Sequence, residues 1–110
     1  MQQKYDRIAY SLAQRLLRTD GYIVEKTTGH ISLFNLIAWK GTNEIRFIRI
    51  RRSRKPGVDQ FNKEIVNLAD LVKIRSIPGV VEFWLLSTHQ WYRYLILEGG
   101  AVPLEIGEIK

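Results

Sequence analysis

The sequence contains no cysteine, which excludes disulfide bridges, thiolate nucleophiles and any zinc site built on sulfur, and fits a reducing compartment. No apolar run approaches the roughly 18 to 20 residues that a membrane helix needs. The opening residues, Met1-Gln2-Gln3-Lys4-Tyr5-Asp6, hold no apolar stretch of signal-peptide length. The expectation is a soluble, cytoplasmic chain with no membrane contact. Histidine is scarce: His30 and His89 fall in different expected loops, and neither has ligand spacing around it. Ser11, Ser32, Ser53, Ser76 and Ser87 lack the glycine-flanked nucleophile pattern, so acyl transfer has no support. Gly99-Gly100 is not followed by the Lys-Ser/Thr of a phosphate-binding loop. Repeats and low-complexity tracts are also missing.

What is there reads as one globular domain over residues 1–110, with 45% hydrophobic and 25% charged residues. The net charge is +6, and its distribution says more than its size. Six cations, Arg46, Arg49, Arg51, Arg52, Arg54 and Lys55, fall within ten consecutive residues that hold no acid. Elsewhere eleven cations balance eleven acidic residues. The whole excess sits in one segment, a pattern that points to a polyanionic partner.

From Gln3 to Thr19, Tyr5, Ile8, Ala9, Leu12, Ala13, Leu16 and Leu17 recur at three- and four-residue steps, which predicts an amphipathic helix ended by Gly21. Extended segments are expected at 22–27, 33–39 and 44–52, separated by Thr28-Gly29 and by a hairpin turn at Lys40-Gly41-Thr42-Asn43. Pro56-Gly57 breaks the run. Val58, Phe61, Ile65, Leu68 and Val72 then mark a second helix ending near Lys73. Beyond Ile77-Pro78-Gly79, the stretches 80–87 and 91–97 read as the last two strands, joined by Thr88-His89-Gln90. The tail from Ala101 is too mixed to assign. The fold class is α/β: a mixed central sheet flanked by helices, in the order α-β-β-β-α-β-β. The aromatic cluster Trp84, Trp91, Tyr92 and Tyr94 reads as core or interface before it reads as a stacking platform for bases.

Side chains alternate across a strand. Ile48 and Ile50 mark the side of the third strand that enters the core, which places Arg49 and Arg51 side by side on the other face. Two such guanidinium groups repel unless an anion lies between them, and a backbone phosphate matches their planar fork. Nucleic acid is therefore the expected partner, bound by Lys40, Arg49, Arg51, Arg52, Arg54 and Lys55.

The N-terminal helix, the Gly21-Tyr22 step, the segment Phe34-Asn35-Leu36-Ile37-Ala38-Trp39-Lys40-Gly41, and Phe47-Ile48-Arg49-Ile50-Arg51 followed by Arg52-Ser53-Arg54-Lys55 resemble the PD-(D/E)XK nuclease superfamily. Within it, the likeness is closest to archaeal Holliday-junction resolvases and covers about Tyr5 to Leu97. The resemblance implies a restriction-endonuclease-like fold and a twofold homodimer. It also implies carboxylates at the positions held here by Tyr10, Asn35 and Arg49, and a lysine at Arg51. Such nucleases use their carboxylates to hold magnesium beside the scissile phosphate. With the carboxylates replaced, the expectation is a degenerate nuclease domain that binds DNA, holds no metal and needs no cofactor. One alternative keeps magnesium: Glu64, moved onto the second helix near Asp59 and Gln60, could reach Asn35 with Arg51 in the lysine's place and support endonuclease or junction-resolving activity. Another alternative is a protein-interaction or oligomerisation module whose basic strand docks an acidic partner.

Overall fold

The computed structural model describes residues 3–27, 33–41, 44–74 and 77–108. Helix α1 (Gln3–Thr19) is followed by strands β1 (Ile23–Lys26), β2 (Leu36–Lys40) and β3 (Glu44–Arg52). A short 3-10 turn (Asp59–Phe61) then leads into α2 (Asn62–Lys73), and β4 (Val80–Ser87), β5 (Gln90–Leu97) and β6 (Gly100–Glu108) complete the chain. The strands form one six-stranded sheet in sequence order, antiparallel throughout except for the parallel pair β3 and β4. A parallel pair needs a crossover, and α2 supplies it. The expected separators Thr28-Gly29 and Thr42-Asn43, together with His30, Ser32 and Ser76, lie outside the described residues.

The helices cover opposite faces, so the molecule has three layers. Ala9, Ala13 and Leu17 of α1 join Leu36, Ala38, Ile48, Ile50 and Trp84 in one core. Ile65, Leu68 and Ala69 of α2 join Val81, Phe83, Leu85 and Ile96 in the other. Two alanines on the inner stripe of α1 let it ride close to the sheet. The helix ends as Gly21 predicts: at φ +92°, the Gly21 N–H donates to the Arg18 carbonyl and the Tyr22 N–H to the Leu17 carbonyl, both at 3.0 Å. This is a Schellman motif, and glycine meets its left-handed position without strain.

Three expectations need correcting. The tail, unassigned from the sequence, forms a further strand, β6, so the order is α-β-β-β-α-β-β-β and not α-β-β-β-α-β-β. Pro103 hid it, since proline argues against a central strand but is tolerated at an edge, and the β5–β6 register shifts nearby, between Arg93 and Tyr94. The start of the second helix is the 3-10 turn, not α-helix. Gln90 belongs to β5, leaving a two-residue turn with Thr88 and His89 at φ 50° and 65°. Positive φ at both central residues is the primed turn that matches the twist of a hairpin.

Entry into β4 is tight. A Cβ on Gly79 would stand 2.5 Å from the backbone oxygen of Ile45 on neighbouring β3. Gly79→Ala is therefore expected to lower stability by about 2 kcal/mol in urea denaturation, because backbone and not a movable side chain opposes it.

Candidate functional site

β3 lies third of six strands, inside the sheet. As alternation requires, Arg46, Ile48, Ile50 and Arg52 face α1, whereas Phe47, Arg49 and Arg51 face α2. The second face is not open. Glu64 of α2 places one carboxylate oxygen 2.8 Å from Arg49 Nε and the other 3.5 Å from Arg51 Nε. The Arg51 guanidinium also stands 5.2 Å from the centre of the Phe61 ring. The anion that two neighbouring guanidiniums require is thus supplied by the protein itself. The absence of acid from residues 46–55 in sequence does not extend to space, and this corrects the expectation of an unanswered pair. One carboxylate between two guanidiniums leaves a residual positive charge, and both arginine side chains keep about a fifth of their surface exposed, at 21% and 17%.

The amino end of β3 holds a second network. Glu82 on β4 is 2% exposed and sits 2.9 Å from Arg46 and 3.6 Å from Arg93, while the Trp84 indole N–H donates to it at 2.7 Å. Arg46 also lies 3.7 Å from Glu44, which accepts a 2.9 Å hydrogen bond from the Tyr22 hydroxyl. Burial, and then that bond to Glu44, push the Tyr22 phenol above its usual range. Glu44 and Glu82 thus offset most of the charge of Arg46, Arg93 and the neighbouring Lys40. Sequence reasoning passed over Glu82, although an acid inside the apolar run Val80 to Leu86 is itself a signal, since such a residue is rarely buried unpaired.

At the carboxyl end of β3, Arg52 is half-buried on the α1 side, and Arg54 and Lys55 are exposed. The loop that presents them is stapled. The Ser53 N–H donates to the Leu86 carbonyl at 3.0 Å, and the Ser53 hydroxyl donates to Gln60 at 2.9 Å while accepting the Lys55 N–H at 3.1 Å. The Gln60 amide donates to the Lys55 and Gly57 carbonyls at 3.1 and 2.7 Å. Lys40 does not join this patch. It pairs in register with Glu44 and lies over the Tyr22 ring, at the opposite end of β3. Eight strand steps of about 3.3 Å separate the two ends.

The four degenerate motif positions divide between two environments. Tyr10 and Asn35, with Arg7, Lys26, Thr27 and Leu36, line a cleft of about 320 Å³ on the α1 side. Asn35 prolongs the β2–β3 ladder: its N–H donates to the Ile48 carbonyl at 2.8 Å, and its side-chain oxygen accepts the Ile50 N–H at 2.6 Å. Arg49 and Arg51 lie across the sheet with Glu64. Glu64 therefore engages the two arginines and not Asn35, and an acid flanked by two guanidiniums is a poor donor set for magnesium.

His89 occupies the exposed β4–β5 turn. Trp84 and Trp91 are buried and meet edge to face at 5.4 Å, as a core reading requires. Tyr92 and Tyr94 pack partly buried against the α2-side core. Among the described residues, no helix is long and apolar enough to cross a membrane. No protein-family model matches the sequence, and no curated protein matches it either.

Proposed function

We propose that the protein binds nucleic acid, DNA in the first instance, through its phosphate backbone without cleaving it, on a restriction-endonuclease-like framework whose catalytic positions have been refilled. One observation carries this reading: among the described residues, Glu44, Glu64 and Glu82 answer Arg46, Arg49 and Arg51, whereas the exposed Arg54 and Lys55 project beyond the carboxyl end of the parallel pair. Open α/β sheets present their ligands at that end. The succession α1, β1, β2, β3, α2, β4, with only β3 and β4 parallel, supports the framework, because it is the order the resemblance implies.

Arg52, Arg54 and Lys55 contact phosphates directly. Arg49 and Arg51, held by Glu64, add field and fix the strand beneath. Contacts of this kind carry no base readout, so binding is structure-directed or non-specific, and affinity falls steeply with salt. The twofold dimer implied by the resemblance belongs to the same proposal and is tested by light scattering.

Glu64→Gln separates binding from catalysis. Removing the carboxylate releases both guanidiniums, so affinity for duplex DNA in an anisotropy titration is expected to rise about fivefold and the salt slope to steepen by about one unit. A magnesium-dependent nuclease activity that this substitution abolished would overturn the proposal, as would weaker DNA binding by a folded variant.

A further inference from the structure

Resting on the nucleic-acid reading above, we infer that the outer face of α1 is a second backbone-binding surface, a track that carries more of the contact than the arginines of β3. At 3.6 residues per turn, Arg7, Ser11, Gln14, Arg15 and Arg18 fall within about a third of the helix circumference, opposite Ala9, Ala13 and Leu17. Arg7, Arg15 and Arg18 are exposed and span about 16 Å along the axis. The stretch from Arg7 to Thr19 holds no acidic residue; the acids that flank it in sequence are Asp6, directly before Arg7, and Asp20, past the helix end. This contrasts with β3, where carboxylates answer Arg46, Arg49 and Arg51.

The face is polar between its charges. Ser11, Gln14, Arg15, Arg18 and Thr19 line one shallow, open surface of the helix. Hydroxyl and amide groups between arginines are the side chains that hydrogen-bond phosphate oxygens and set a register. Arg7 continues the track into the cleft shared with Lys26, at the end of the sheet where β3 runs out toward Arg52. On β1, Glu25 lies on the face opposite Lys26, so it does not oppose the track.

A basic amphipathic helix can also serve a membrane surface, but there the apolar stripe must enter lipid. Here Ala9, Ala13 and Leu17 are committed to the core at 0%, 0% and 4% exposure, and Ile8, though exposed, is too small an apolar surface by itself to hold the helix on lipid. A long, regularly charged polymer fits that surface.

The test is fluorescence anisotropy with a labelled duplex of about 25 base pairs, followed over a salt series. Arg7→Gln/Arg15→Gln/Arg18→Gln keeps helix propensity and removes charge. Binding is expected to weaken at least about tenfold near 100 mM salt, with the slope of log K against log salt shallower by about 2 to 3. Arg7→Lys/Arg15→Lys/Arg18→Lys restores binding to within about threefold, and circular dichroism melting shows both variants folded. Wild-type affinity in the glutamine variant overturns this inference, and if Arg54→Glu/Lys55→Glu alone abolishes binding, the proposed function survives without it. Equal loss in the lysine variant also overturns it. A wild-type protein that binds neither duplex DNA nor RNA at low salt removes the proposed function and the inference together. Tighter capture by phosphatidylserine vesicles than by duplex, lost in the glutamine variant, would assign the face to a membrane instead.

Discussion

Glu82→Ala is expected to lower the free energy of unfolding by about 3 to 5 kcal/mol, the range found when one partner of a buried ion pair is removed. Glu82 is 2% exposed and serves Arg46, Arg93 and the Trp84 indole together. Without it, Arg46 loses the closer of its two carboxylates, Arg93 loses its contact with a buried carboxylate, and the indole N–H loses its acceptor. Domains of this size hold only about 5 to 15 kcal/mol in total, so the variant is expected to be partly unfolded at 37 °C. Glu82→Gln keeps shape and one acceptor, and costs roughly half as much. Adding Arg46→Ala to Glu82→Ala costs less than the sum of the two single changes, since the second removes a group that has already lost its closer carboxylate and keeps only the longer contact to Glu44. Urea denaturation of the four species measures this, and a cost for Glu82→Ala below about 1 kcal/mol would refute the assignment.

The second large effect concerns binding. Arg54→Glu/Lys55→Glu reverses two exposed cations beyond the carboxyl end of β3, and affinity for duplex DNA is expected to fall about a hundredfold at low salt. Lys55 takes part in the loop staple through its main-chain N–H and carbonyl, so its side chain can change without opening the loop. The melting temperature is expected to stay within about 2 °C of the parent, as for surface substitutions generally. Unchanged affinity in a gel-shift titration would reject the proposed function. Reversing Arg49 and Arg51 is a poorer probe than the sequence suggests: it would set three carboxylates together in a half-buried place, and lost binding could then reflect lost structure.

Most of the architecture was legible because period and punctuation agree. α1 over Gln3–Thr19 with its Gly21 stop, β3 over Glu44–Arg52 and β4 over Val80–Ser87 match their expected bounds, each having one clean periodicity and a clear breaker. β6 was not legible, since Pro103 and two glycines give its residues no strand signature, and the pairing with β5 decides its state. For the site, alternation alone placed Arg49 and Arg51 on the face opposite Ile48 and Ile50. It could not reveal what covers that face. Glu64 comes from an element 13 to 15 residues further along, so its meeting with the arginines depends on how the crossover helix lands. The outer arginines of α1 read in sequence only as the polar side of an amphipathic helix, because the charge sums to zero outside residues 46–55 and a one-dimensional balance does not register how its members cluster on a surface.

The cross-tied segment between Ser53 and Gln60 bears on kinetics. With serine and glutamine holding its backbone before any polymer arrives, the tip has little disorder to lose on docking, and association needs no rearrangement there. Capture should then proceed close to the encounter rate and slow sharply as ions screen the approach, whereas the lifetime of the complex is set by how many neighbouring surfaces the same strand reaches at once.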